Sequence, residues 1–141
     1  MKVQIDENLS KALARALNCL AEADDHQVIH VLELVPKGTP DVDLFAAVAK
    51  AKVQVHITQD HHYRRQIERD AIASAGLIVF VLDKGWASQP EFEKAARLIQ
   101  WWPRIVEHAE SMLPHAVFRV PWRKVGKGKF EQVRAGSFRW T

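Results

Sequence analysis

Four aspartates stand where the chain leaves apolar, β-branched segments. Asp6 follows Lys2-Val3-Gln4-Ile5, Asp60 follows VQVHIT, and Asp83 follows LIVFVL. Asp41 opens the segment beyond the QVIHVLEL run and the PKGTP loop. If those apolar segments are parallel strands, all four acids project from one rim, the carboxyl edge of a sheet, where such folds bind ligands. Carboxylates ~4 Å apart repel by roughly 4 kcal/mol at an effective dielectric near 20, so a cluster requires protonation or a cation. Oxygen donors without paired cysteine or histidine suit a hard ion, Mg²⁺ or Mn²⁺. Such an ion clamps phosphate oxygens and lowers the pKa of bound water, which together hydrolyse a phosphodiester.

Each acid also has a purely structural use. Asp6 would serve as a helix cap, although Asn8 and Ser10 are present for that. Asp41 follows Pro40 as an N-cap would, and Asp60 would cap a helix starting near His62. Asp83 would begin a DKG turn, and Asp43, two residues after Asp41, points to solvent on a helix. The shared rim is a stronger signal than any single letter. Asn8 has an amide that would orient Asp6 or a metal-bound water. Thr58 is placed to hydrogen-bond Asp60 or the attacking water, and Glu7 alternates away from Asp6.

The elements that must position these residues read in strict alternation. After the opening strand, LSKALARALNCLAEA carries Leu9, Leu13, Ala16, Leu17 and Leu20 at helical spacing. QVIHVLEL is a second strand, DVDLFAAVAKA a short helix with acids in its first turn, and VQVHIT a third strand. HHYRRQIERDAIASAG is a helix ending at Gly76, a C′ residue. LIVFVL is apolar throughout, as in a strand covered on both faces. A long helix runs from Pro90, with a kink expected at Pro103, to about Met112. HAVFRVPW is a fifth strand. The order βαβαβαβαβ predicts an α/β fold, three-layer α/β/α, with a mostly parallel central sheet of about five strands. Residues 1–120 form one domain, and residues 121–141 form a basic, aromatic tail packed on that domain or on a partner.

The chain has 141 residues, enough for one domain with a proper core. Its 48% hydrophobic and 26% charged residues exclude bulk disorder. The net charge of +3 is unevenly spread, acidic toward the front and basic in the tail, which suits a cation at one place and a polyanion at another, or merely a solvated tail. Cys19 is the only cysteine, so no disulfide framework exists; it reads as a small buried hydrophobe. No apolar run approaches the ~20 residues of a membrane span, and no signal segment is evident, so the expectation is a cytoplasmic protein without membrane contact. No nucleophile elbow, P-loop or dinucleotide glycine pattern occurs.

IDEN after the opening strand, an Asp at the start of the helix beyond the Gly-containing loop, and the strand-end ITQD together resemble the PIN-like nuclease superfamily. The likeness is closest to its small VapC-type toxin branch, which GLIVFVLDKGW and ARLIQWWPRIVEHA also fit, and it runs from Met1 to about Val120. The resemblance implies a Mg²⁺- or Mn²⁺-dependent ribonuclease, the toxin of a bacterial toxin–antitoxin pair, with a cognate antitoxin as partner. It implies Asp6, Asp41 and Asp60 as catalytic metal ligands, with Asp83 a candidate for a fourth. Related sequences often read TxDxDF at this point. Here the run is Thr58-Gln59-Asp60-His61-His62-Tyr63, so His62 stands where a second Asp is expected, as an imidazole ligand, a phosphate contact or a surface cap.

On that reading Arg64 and Arg65, near the rim, contact RNA phosphates, or else form a solvated face. Arg123, Lys124, Lys127 and Lys129 do the same from the tail, where Phe118, Trp122, Phe130, Phe138 and Trp140 would stack on bases. The competing reading packs those aromatics on the sheet or on an antitoxin. Of Trp101 and Trp102, one is expected in the core and the other at a homodimer or antitoxin interface. Two other functions compete: a non-catalytic PIN-like module that binds nucleic acid or protein, and a small-molecule phosphohydrolase on the same sheet.

Overall fold

A computed structural model describes residues 1–59, 66–111, 116–123 and 130–133. The run IVFVL (β4, Ile78–Leu82) is buried at all five positions, because both of its faces are covered. Ile78, Phe80 and Leu82 enter one core, while Val79 and Val81 enter the other. Around it lie β1 (Lys2–Ile5), β2 (Gln27–His30), β3 (Val55–Thr58) and β5 (Val117–Val120), all parallel, in the order β2-β1-β3-β4-β5. The five-stranded parallel sheet expected from the sequence is therefore present. A short sixth strand, β6 (Glu131–Val133), adds to β5 antiparallel and comes from the segment expected as a tail.

Helix α1 (Lys11–Ala21) and α5 (Glu91–Ser111) share the first core, and α2 (Asp41–Lys50) and α3 (Gln66–Ala75) share the second. This is the three-layer α/β/α arrangement. Ser10 caps α1 by accepting from the Leu13 N–H at 3.0 Å, a contact contributing about 1 kcal/mol. Leu13, Ala14, Leu17 and Ala21 form its buried stripe. Gly76 closes α3 with φ +69°, a left-handed conformation that favours glycine.

Several expectations change. Cys19 is exposed, not buried, because it lies off the apolar stripe of α1. The second strand stops at His30, and Val31–Glu33 turns instead as one short 3₁₀ helix capped by His30 and Glu33. The outward N–H groups of this edge strand are taken by side chains, Val28 by Asn18 Oδ1 (2.9 Å) and His30 by Glu33 Oε2 (2.8 Å). Those caps blunt strand pairing along this edge. A four-residue helix, α4 (Lys84–Ala87), precedes α5, and α5 continues as one helix through Pro103. The carbonyl that Pro103 leaves without an intrahelical donor belongs to Ile99, which is exposed, so water can satisfy it.

Trp101 and Trp102 are both buried in the chain's own core, Trp101 stacking on Phe130 at 4.8 Å. Phe118 stacks on Phe80 at 5.6 Å, and Phe130 sits edge-on to Phe80 at 5.3 Å. Phe118 and Phe130 are thus core residues rather than platforms for bases. His108 lies edge-on to Phe118 (4.4 Å) and Phe130 (5.1 Å), and burial there holds its pKa below the ordinary 6.5, against the opposing pull of Glu107. A histidine with a lowered folded-state pKa binds fewer protons folded than unfolded between that lowered value and 6.5. The expected result is full stability above about pH 6.5, lost as pH falls through the lowered value, and His108→Phe should flatten that part of a urea-midpoint against pH profile.

Candidate active site at the carboxyl edge of the sheet

The sheet order reverses direction between β1 and β3, since β2 lies on one side of β1 and β3 on the other. In such folds the crevice at that switch point is the expected ligand site. Asp6 and Thr58 stand there. The Asp6 N–H donates to the Ile57 carbonyl (3.0 Å), which extends the β1–β3 ladder by one step. Thr58 Oγ1–H donates to Asp6 Oδ2 at 2.6 Å, and the Glu7 N–H donates to Oδ1 at 2.9 Å. Both carboxylate oxygens are therefore fixed in direction. Thr58 bonds Asp6 itself, and the expected bond to Asp60 falls on a residue outside the described ones.

Asp6 is only 8% exposed. Among the described residues no Lys, Arg or His side chain pairs with it, the one such ion pair being His26–Glu110 at 3.8 Å. A carboxylate this buried and without a counter-charge is costly unless a cation compensates it. Each oxygen also keeps lone-pair capacity beyond its single hydrogen bond. This half of the site therefore fits a hard divalent ion. Among the described residues no group of three His, Cys, Asp or Glu is assembled as a complete metal centre. Asp60 and His62 lie outside the described residues, and of Asp41 only the main chain is described. That main chain opens α2 at the same edge, on the sheet face of α2 and α3. By strand alternation Asp6 and Thr58 extend that same face, because Val3, Ile5, Val55 and Ile57 all enter the opposite core.

Asp83 has a different role from the fourth ligand envisaged. Its Oδ1 accepts from the Gly85 N–H at 2.9 Å as the N-cap of α4, and β4 stands two strand spacings from β1, about 10 Å. Gly85 is required there, since a Cβ would lie 2.8 Å from the Trp122 Cβ. Among the described residues the Asn8 contacts are to Gln59. Its Oδ1 accepts from the Gln59 N–H at 3.4 Å, and its carbonyl faces Gln59 Nε2 at 3.5 Å, so it ties the α1 entry to the β3 exit. Glu7 is exposed, as its alternation predicts. Arg123 is exposed beyond β5, whereas Arg64, Arg65, Lys124, Lys127 and Lys129 lie outside the described residues.

The sequence reading passed over two residues below this site. Gln4 and His56 are buried one step down the same face, joined by a 2.9 Å bond from His56 Nδ1 to Gln4 Oε1, with Phe45 edge-on to the imidazole at 5.6 Å. The available signal was a polar residue between two apolar ones inside each short strand, Gln4 between Val3 and Ile5 and His56 between Val55 and Ile57. A buried polar pair facing across two strands fixes their register, and here the register sets Asp6 opposite Thr58. Thr58→Val keeps the shape and removes the hydroxyl. It is expected to lower any metal-dependent activity of the site roughly 10- to 100-fold, since partners of metal ligands carry effects of that size, with a thermal melt showing the fold retained.

A parallel sheet with helices on both faces and a buried aspartate at its switch point form a three-layer α/β/α fold with a candidate site at its carboxyl edge. The model of the PIN like domain family matches residues 1–84, more than half of the chain, and the protein belongs to that family. PIN domains are generally metal-dependent nucleases that use divalent ions. Neither the curated proteins nor the solved structures contain a match to the chain. No helix among the described residues is long and apolar enough to cross a membrane.

Proposed function

We propose that the chain is a Mg²⁺- or Mn²⁺-dependent endoribonuclease, and that it acts as a VapC-type toxin held in check by a cognate antitoxin in the cytoplasm. The observation that supports this reading most strongly is Asp6, a buried carboxylate without a cationic partner among the described residues, fixed at the β1–β3 switch point of a PIN-like domain. Asp6, Asp41 and Asp60 are the residues that would hold the ion. When bound, the ion would supply Lewis-acid polarisation of the scissile phosphate and a water acidic enough to ionise near neutral pH. The chain's own contribution is orientation. Thr58 and the Glu7 N–H hold the Asp6 oxygens in fixed directions, so no reorganisation is needed when charge develops nearby. The ladder bond from the Asp6 N–H to Ile57 keeps that carboxylate on a rigid strand end.

The test is cleavage of labelled single-stranded RNA by the purified full chain. The expected result is cleavage with Mg²⁺ or Mn²⁺, loss of it in EDTA, and growth arrest on expression that active-site variants relieve. Absence of cleavage with either ion, together with harmless expression, would overturn the reading. His62 in place of an expected acid favours a second reading, a non-catalytic module for nucleic acid or protein. That module would bind RNA equally well after loss of Asp6.

A further inference from the structure

The same edge of the sheet carries a second feature, three strands away from Asp6. Trp122 lies just beyond β5, and its ring meets Trp86 edge-to-face at 5.0 Å. The guanidinium of Arg97, in the second turn of α5, sits 4.6 Å over the Trp122 ring. Of the two readings open for Trp122, stacking on bases or packing on the fold, the structure shows the second, and its ring also supports an arginine. An arginine held by an aromatic face keeps its N–H donors free for an anion, whereas a carboxylate partner would occupy them. Among the described residues no carboxylate pairs with Arg97. Arg123, the next residue after Trp122, is exposed beside it, and Lys84 is exposed at the start of α4.

β4 ends in the Asp83 cap and β5 leads to Trp122, so Arg123, Lys84 and the start of α5 that carries Arg97 lie toward the carboxyl edge of the sheet, with Arg97 on the α1/α5 side and Asp6 on the α2/α3 side. The lateral separation is three strand spacings, about 14 Å. That is too far to act on a phosphate held at Asp6, and suits a phosphate several nucleotides further along the same strand. We infer that Arg97, pre-organised on Trp122 and assisted by Arg123, is a backbone-phosphate contact for single-stranded RNA running along this edge. The inference rests on the ribonuclease reading. It adds a binding residue outside the part of the chain that matches the family, which ends at residue 84.

The experiment uses the full chain carrying Asp6→Asn, so that RNA is not consumed, and measures anisotropy of a labelled 12-nucleotide poly(U) across a salt series. Arg97→Gln is expected to weaken binding roughly 3- to 10-fold and to reduce the log K against log salt slope by about 0.7, the contribution of one single-strand phosphate contact. Lys50→Gln makes the same charge change at the far end of α2 and is expected to alter both far less. Trp122→Phe should fall between wild type and Arg97→Gln, with far-UV circular dichroism unchanged. Equal affinity and slope for Arg97→Gln and the parent would overturn the inference while leaving the nuclease reading intact, provided the wild type cleaves. Unchanged RNA binding with lost poly(glutamate) binding would assign the surface to an acidic protein and overturn it too. No RNA binding by the parent chain, with no cleavage by the wild type, would sink both readings.

Discussion

Asp6→Asn is expected to lower RNA cleavage by about a thousandfold or more, roughly 4 kcal/mol of transition-state stabilisation, with little loss of fold. Each half of that expectation has its own cause. The substitution removes the negative charge that a divalent ion requires, and Asp6 is a buried acid whose two oxygens each accept from a donor. The amide is nevertheless well tolerated. Its oxygen can keep accepting from the Glu7 N–H, and its NH₂ can donate to Thr58 Oγ1 with the hydroxyl bond reversed. Two charge-assisted bonds become neutral ones, a change of about 1 kcal/mol each. Removal of an uncompensated buried charge works in the opposite direction. A gel assay with Mn²⁺, read beside a thermal melt, separates the two effects. Cleavage by Asp6→Asn within tenfold of wild type would remove Asp6 from the chemistry.

The second large effect lies in the core. Trp86 is fully buried, donates its Nε1–H to the Val120 carbonyl at 3.0 Å, and supports Trp122. Trp86→Ala is expected to destabilise the fold by about 3–5 kcal/mol, mostly through the cavity it opens. The lost hydrogen bond matters less, because the Val120 carbonyl still accepts from the Asp83 N–H at 3.0 Å. For a chain of this size the melting temperature should fall by roughly 10–20 °C. Trp86→Phe, which refills most of the volume, should recover more than half of that loss. A fall of only a few degrees for the alanine variant would mean that the packing between β4, β5 and α4 tolerates the loss by collapse.

The parallel sheet was legible because strands covered on both faces are apolar at every position, as in IVFVL, and because helical spacing separated them. The sixth strand was not, since EQV is only three residues long and pairs at an edge, where neither alternation nor an apolar run is needed. For the aromatics of the carboxyl-terminal third the sequence left two readings open, and the structure decides for packing on the sheet at Phe118, Trp122 and Phe130. Basic neighbours made Phe118, Trp122 and Phe130 look like a surface for bases, but alternation along β5 sends Phe118 into the core beside Arg119, and Trp122 and Phe130 pack against the same core. Pro103 suggested a kink, yet one missing N–H opposite an exposed carbonyl interrupts nothing else in the helix. For the site, Asp6 and Thr58 could be placed on one edge from strand ends alone. Their direct bond could not, because it depends on the β1–β3 register, and the buried Gln4–His56 pair that helps set this register is a contact between strands 52 positions apart.

The central claim is that Asp6 anchors a divalent ion. The most direct measurement is a calorimetric titration of Mn²⁺ onto the full chain and onto Asp6→Asn under identical buffer conditions. The account predicts saturable binding to the wild-type chain and at least a tenfold weaker affinity in the variant. Equal Mn²⁺ affinity in the two proteins, both folded, would contradict it.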